Sequence, residues 1–307
     1  MNTEIESVES LRKNSRTVVR ELGLLGDEYN TSGITLVERH LMIELESHLF
    51  PDVGGVAHML LLDKSTASRL VNNLVKKELI EYVLDEGDKR RRFLQLTDKG
   101  KNKLASIKKT AQEQVQEALT ALSKEEIETV LRGMEYYAKG LKKARLRKEF
   151  QLQPISAQDN VSLAKLIVSI LEDYGCNKPG FASADAELNS MSESYNQAGR
   201  VYFVVKKGSL VTGGAGIAPL EGAGRKYCEL RKMYLAADAR GLGLGDLLIE
   251  KCLTEAKKMG YSFCYLETSE NMSQAHKLYI KHGFKPLAER KGQTGHFGCT
   301  CFFEKKL

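Results

Sequence analysis

Apolar residues recur at helical spacing over residues 4–22, where Ile5, Val8, Leu11, Val18, Val19 and Leu22 stand among charges before Gly23. The pattern predicts a helix there and a second from Thr35 to Phe50, with Thr35 and Glu38 at capping-box spacing. A short helix over Val53 to Leu61 follows. The next, Lys64 to Lys77, is capped by Asp63 and turns Leu70 and Leu74 inward, as do Leu79 and Ile80 after it. The period then becomes alternate. Ile80–Leu84 and Phe93–Thr97 read as a hairpin whose connection, Asp85 to Arg92, is turn-forming and basic. Thr97 caps charged helical sequence that runs to about Lys148, interrupted by a second capping box at Ser123–Glu126.

After Pro154 the pattern alternates between helix and strand. A helix fits Asp159 to Tyr174, and a helical piece around Ala184–Tyr195 lies in a mixed Gly/Ser/Asn segment. Val201–Lys206, Val211–Ile217, Tyr227–Leu235 and Phe263–Thr268 read as strands, with a helix over Leu247–Met259. A helix over Ser273–His282 and strands around Phe284–Ala288 and Phe297–Glu304 complete the chain. A helix between Tyr227–Leu235 and Phe263–Thr268 implies a parallel crossover. The expected domains are residues 1–146 and 154–307, joined by a linker over 147–153.

Composition narrows the classes without deciding among them. A length of 307 residues suits about two domains. The net charge of +6 divides as 26 Lys+Arg against 24 Asp+Glu up to residue 150, then 20 against 16. Any nucleic-acid signal must therefore be local. All six cysteines lie beyond residue 175 without CxxC or zinc spacing, which suggests packed, reduced thiols and no metal. The acidic N-terminus lacks the regions of a signal peptide, and no apolar run reaches membrane-spanning length. The expectation is a soluble cytoplasmic protein with no membrane partner.

Two turn-linked helices followed by a basic hairpin are suited to DNA. The helix from Lys64 offers Ser65, Thr66, Ser68, Arg69 and Asn72 to base edges and phosphates. Arg90–Arg92 read either as a solvated turn or as a wing following phosphate or entering a minor groove. Residues 35–100 resemble the winged helix of the MarR family of bacterial regulators. Asp88 and Arg90 fall on that family's Asp-x-Arg wing pair, with Arg91 beside them, and Ser65-Thr66-Ala67-Ser68-Arg69-Leu70 falls on its recognition helix. The resemblance implies a homodimer built through residues 4–22 and 102–146, and double-stranded DNA with a palindromic operator as partner. Val53-Gly54-Gly55 departs from a strong helix, at a cost of about 1–2 kcal/mol.

The second half turns on Arg240-Gly241-Leu242-Gly243-Leu244-Gly245-Asp246, glycines at alternate positions between an apolar run and an amphipathic helix. Such backbone can turn its N–H groups into one concavity at a helix start, an anion nest to which Arg240 adds a donor. A ligand-free turn is the plain alternative. The stretch lacks the Lys-Ser/Thr of a nucleotide-triphosphate loop, and its third glycine is misplaced for a dinucleotide fingerprint. It does resemble the Arg-x-x-Gly-x-Gly coenzyme A loop of the GNAT N-acetyltransferases. Glu229 to Leu235 before it and Ala275-His276-Lys277-Leu278-Tyr279-Ile280-Lys281-His282-Gly283-Phe284 after it extend that likeness over about residues 152–307.

The resemblance implies an α/β (α+β) acyltransferase fold behind a mostly α winged helix-turn-helix, with acetyl-CoA as co-substrate and an amine as acceptor. By the same likeness, Arg240 and backbone of Leu242, Gly243, Leu244 and Gly245 hold the pyrophosphate, and Met233 and Leu235 pair with the pantetheine arm. Tyr279 is the implied acid for the departing thiolate, or else an aromatic packed on its helix face. Glu229 is either a general base or the partner of Arg231 or Arg225. Even spacing puts Glu229, Arg231 and Met233 on one face of a regular strand, which a bulge would alter. Met272 stands where some relatives carry an Asn, and Asp246 is expected to point outward along the helix dipole. Phe181, Asp185, Tyr195 and His296 are the candidates for the acceptor pocket. The rival to an enzyme fused to a regulator is a regulator whose second domain senses acetyl-CoA or an amine without turnover, and a third reading makes the winged helix only a dimerisation module.

Overall fold

Polar caps start the helices where short oxygen-bearing side chains precede apolar runs. This computed structural model describes residues 2–25, 33–47, 52–84 and 92–307 in two units, Met1–Val130 and Leu131–Leu307. In the first unit, α1 (Asn2–Glu21), α2 (Leu36–Ser47), α3 (Val53–Leu60) and α4 (Lys64–Lys76) precede β1 (Ile80–Leu84), β2 (Arg92–Leu96) and α5 (Asp98–Thr120). Thr35 and Glu38 form the capping box, with N–H groups donating at 2.8 and 3.2 Å. Asp52 caps α3 through the Gly55 N–H, so the helix forms despite Gly54 and Gly55. Strands β1 and β2 pair antiparallel.

Leu41, Met42, Val56, Ala67, Val71, Leu74, Leu94 and Leu104 are fully enclosed in one core that joins α2 to α5 with the hairpin. Each large side chain among them contributes roughly 1.5–3 kcal/mol. One charge is buried with them. Glu38 lies 2.8 Å from Lys77 Nζ, which also donates to the Gly33 carbonyl at 2.9 Å. Burial raises the Glu38 pKa, but hydrogen bonds from Lys77 and Thr35 outweigh it and hold the carboxyl below its ordinary value.

Helix α6 (Lys124–Arg147) starts at the Ser123–Glu126 capping box, buries no residue and carries the division between the units within its length. That division lies earlier than the boundary expected at residue 146. The expected linker also needs correction, because Phe150–Pro154 is a strand, β3. Its alternation puts Phe150 and Leu152 against the core of the second unit, and Pro154 is tolerated because β3 is an edge strand.

The second unit continues with α7 (Asn160–Asp173), α8 (Met191–Tyr195), β4 (Val201–Lys207), β5 (Leu210–Pro219), β6 (Tyr227–Leu235), α9 (Leu244–Lys258), β7 (Phe263–Thr268), α10 (Ser273–Lys281), β8 (Lys285–Leu287) and β9 (Cys301–Lys306). Its sheet runs in the order β3-β4-β5-β6-β7-β9-β8. The β6–β7 pair, bridged by α9, is parallel and the other pairs are antiparallel. One face packs on α9 through Leu248, Ile249, Cys252 and Ala256, the other on α7 and α8 through Leu163, Ile167, Leu171 and Met191. The last strand starts later than expected, so Phe297–Thr300 is irregular.

Gly100, in the first turn of α5, lies against the Leu79 carbonyl, which also accepts the Thr97 N–H at 3.1 Å. A methyl group there would run into that oxygen. Gly100→Ala is expected to lower the stability of the first domain by about 2 kcal/mol. The midpoint of its transition in urea, with the second domain's transition unmoved, checks this.

Candidate functional site

Strands β6 and β7 pair only at Tyr227–Phe263, Cys228–Cys264 and Glu229–Tyr265, although β6 continues to Leu235 and β7 to Thr268. Beyond Glu229 the two strands splay, and backbone groups of β6 on that side have no strand partner. The cause is in β6. Gly216 pairs with Arg231 and Gly214 with Tyr234, so β6 carries one residue more than β5, and Lys232 takes a left-handed φ of 49°. Such a bulge bends its strand and strengthens the local twist. The ring of Tyr202 lies over Gly214 and Gly216, where an added Cβ would come within 2.5 Å of it, and its hydroxyl donates to the Lys232 carbonyl at 2.7 Å. The glycines of β5 thus make room for the side chain that holds the bulge.

The bulge also reverses the facing of residues along β6. Cys228 and Leu230 face the α9 side before it, Met233 and Leu235 after it. Met233 therefore does not share a face with Glu229 and Arg231, as regular alternation predicts. Tyr234 takes that side instead, among the residues under α7.

Two cavities meet in the splay. The larger, about 280 Å³, is lined by Met233, Leu235, Arg240, Gly241, Gly243, Gly245 and, from α6, Lys143. The smaller, about 50 Å³, is lined by Glu229, Arg231, Phe181, Glu267 and His296. Met233, Tyr234, Met272 and Tyr279 belong to both. Helix α9 begins at Leu244, earlier than the expected Leu247, with Gly243 as its N-cap at a φ of 81°. The first N–H groups of α9 thus open toward the loop with no side-chain cap. Leu244 is buried and Leu242 partly so, which turns their side chains into the core and leaves backbone for the nest. Arg240 Nε donates to the Leu235 carbonyl at 2.8 Å and its guanidinium lies over the Tyr174 ring. A concave N–H nest, an arginine and an unpaired strand edge fit a pyrophosphate and an amide-bearing arm. Asp246 also lines the larger cavity, with its carboxylate held by Lys281 at 2.5 Å and His282 at 2.9 Å.

Tyr279 is buried and burial raises its pKa, so the phenol keeps its proton at neutral pH. Glu229 is 4% exposed, and burial lifts its carboxyl to about 6 against the pull of Arg231 and His296. Arg231 Nε stands 3.3 Å from Glu229 without hydrogen-bond alignment, so the ion pair expected as an alternative coexists with a shifted carboxyl. Of the acceptor-pocket candidates, Phe181 and His296 line the small cavity, while Asp185 accepts from His296 Nε2 at 3.0 Å. Tyr195 is buried against Tyr202 with its hydroxyl unpartnered, outside that lining.

Sequence reasoning missed two contributors. Lys232, with no side-chain exposure, bridges Asp185 and Glu187. Glu267 accepts from the Tyr265 hydroxyl at 2.8 Å and pairs with Arg290 at 3.2 Å, leaving its Oε2 buried without a partner. The signal available for both was a charge inside an apolar strand run.

In the first unit, Ser65 and Thr66 donate their hydroxyl protons to Asp63 at 2.6 and 2.7 Å, and Arg69 Nη2 donates to Thr66 Oγ1 at 3.1 Å. Ser65, Arg69 and Asn72 are exposed, and Thr66 and Ser68 are half-buried. Asp88, Arg90 and Arg91 lie outside the described residues.

Residues 167–284 match the acetyltransferase (GNAT) family and residues 32–91 the MarR family. Over 157 residues the chain is 37% identical to the uncharacterized N-acetyltransferase YjgM of Escherichia coli (strain K12), spanning 51% of this chain and 94% of that protein. The uncharacterized N-acetyltransferase C1271.07c of Schizosaccharomyces pombe is 29% identical over 42% of this chain and 77% of its own length. The PaiA N-acetyltransferase of Thermoplasma acidophilum, solved with coenzyme A, aligns at 18% identity and a TM-score of 0.42 over 52% of this chain and 99% of that one. A mutant of Staphylococcus aureus MepR aligns at 24% identity and a TM-score of 0.38 over 44% and 97%.

Removing Lys232 would strand two carboxylates. For Asp185, burial raises the pKa, but His296 and Lys232 together hold it at about 2. A depressed carboxyl stabilises the fold above its unfolded pKa near 4, and that stabilisation fades as pH falls toward 2. Lys232→Met is expected to cost about 3 kcal/mol at pH 7. The loss should narrow on acidification as Asp185 protonates in the variant, which urea unfolding between pH 4 and 7 checks.

Proposed function

Because the chain belongs to the GNAT family of N-acetyltransferases and carries a MarR-family domain ahead of its catalytic one, we propose that it acetylates an amine from acetyl-CoA and binds a palindromic DNA operator as a homodimer. The splay of β6 from β7, with the glycine nest at one end and Glu229 and Tyr279 at the other, is the observation that supports the first part most directly. Acetyl-CoA, as co-substrate, supplies a thioester whose acyl carbon is open to attack. The N–H groups of Leu242 to Gly245 and Arg240 hold its pyrophosphate, and the free edge of β6 at Met233 and Leu235 orients its arm.

Glu229, ionised above about pH 6, takes the proton from the acceptor ammonium. The free amine nitrogen then bonds to the acyl carbon, and the carbon–sulfur bond breaks as the tetrahedral adduct collapses. An N–H of the β6 edge stabilises the oxyanion formed on the way. Tyr279, kept protonated by burial, hydrogen-bonds the departing sulfur and delivers its proton there, and the proton shed by the newly acylated nitrogen restores the phenol. Glu267 and Glu229 give the small cavity two carboxylates for a cationic acceptor.

The dimer is supported by apolar side chains left in solvent. On α1, Ile5, Val8 and Leu11 are 46–55% exposed at helical spacing; on α6, Leu131, Met134 and Leu141 are 55–62% exposed. Exposed apolar stripes of this kind are covered in an assembly. Helix α4 would enter the major groove with Ser65, Thr66, Ser68 and Arg69, and Asp88, Arg90 and Arg91 would form the wing.

Coenzyme A release, measured across a panel of amines, tests the catalytic assignment. Tyr279→Phe and Glu229→Gln are each expected to lose roughly 100-fold in kcat/KM. The wild-type profile should fall as pH drops through about 6, and Glu229→Gln should lack that limb. A uniform loss that preserves the limb would make Glu229 structural. For the first domain, Arg90→Ala should weaken binding to DNA from the protein's own promoter region. It should also reduce the salt dependence by about one counterion per protomer; an unchanged slope would leave the wing without a phosphate contact.

A further inference from the structure

Two cations from outside the acetyltransferase fold stand over the glycine nest. A Cβ built on Gly243 would lie 3.4 Å from Lys143 Cε, 3.7 Å from its Nζ and 3.8 Å from Arg147 Nη1. Lys143 also lines the 280 Å³ cavity beside Arg240, Gly241 and Gly245. Both side chains belong to the last turns of α6, four residues apart and so on one helix face. Like charges at that spacing repel, and neither has an ion-pair partner among the described residues. Earlier on the same helix Lys139 is matched by Glu135 at the same spacing. The chain thus holds two unmatched cations within 4 Å of where a Cβ on Gly243, the N-cap of α9, would stand, and the free N–H groups of that helix already favour negative charge.

We propose that Lys143 and Arg147 form a cationic clamp that binds the pyrophosphate of coenzyme A from the side opposite the Gly241–Gly245 backbone. The inference rests on the proposed coenzyme A site and adds to it residues that the GNAT match, at 167–284, does not include. An anion between the two cations relieves their repulsion, and the arginine fork and lysine point charge add charge-assisted donors to the backbone nest. The cofactor thereby gains a handle on α6, the helix that begins at Lys124.

Calorimetry on the full-length protein tests this with coenzyme A and dephospho-coenzyme A, which keeps the pyrophosphate and lacks the 3′-phosphate. Lys143→Ala with Arg147→Ala is expected to weaken both ligands equally, by roughly tenfold. Lys143→Glu with Arg147→Glu should weaken both further, and Lys142→Glu, on the neighbouring face, should change neither. The KM for acetyl-CoA should rise with kcat unchanged. Wild-type protein that binds neither ligand overturns the coenzyme A site itself. Wild-type binding that both double variants preserve overturns the clamp alone. A loss confined to coenzyme A overturns the pyrophosphate as its target.

Discussion

The second domain depends on a single extra residue in one strand. Without the bulge at Lys232, β6 would keep regular alternation with β5, and its free edge would not diverge from β7 with Met233 and Leu235 turned toward α9. A left-handed non-glycine residue costs about 1–3 kcal/mol and persists only where its surroundings hold it. Here the hold is double. The Tyr202 hydroxyl takes the Lys232 carbonyl, and Asp185 and Glu187 take its ammonium. Gly214 and Gly216 in β5 follow from the same need, since any side chain there would displace the Tyr202 ring.

That scaffold sets the electrostatics of the small cavity. Asp185 is half-buried and Glu229 buried, and their pKa values move in opposite directions. Asp185 has Lys232 and His296 in hydrogen-bond contact and is driven down to about 2. Glu229 has Arg231 close but misaligned, and burial wins, leaving it near 6. A displacement of 1.5 from the ordinary value amounts to about 2 kcal/mol, close to what a single aligned charge-assisted hydrogen bond would restore. Partner alignment and depth of burial together separate a carboxylate held ionised from one whose pKa lies near 6.

In the first domain the same economy of partners operates at the surface. Asp63 caps α4 and takes the hydroxyl protons of Ser65 and Thr66, which leaves the start of the helix ordered before any ligand arrives. Core burial is concentrated between α2, α4, α5 and the hairpin, whereas α6 has none and keeps its apolar side chains in solvent.

Much of this was legible in the chain as written. Capping boxes at Thr35 and Ser123, the Asp63 cap, the 227–235 and 263–268 strands and the parallel crossover follow from local periodicity and cap chemistry, which act over a few residues. The glycine loop and the Leu278-Tyr279 helix likewise announced the larger cavity. The bulge, the pairing of Lys232 with carboxylates more than forty positions earlier, and Glu267 at the small cavity were not legible, because each depends on strands meeting across the sheet. The same holds for β3, read as linker until its partner β4 is known. Spacing along the chain decided which residues could act; only the sheet decided which way β6 turned them, because a strand shows no bulge until a neighbour counts its residues.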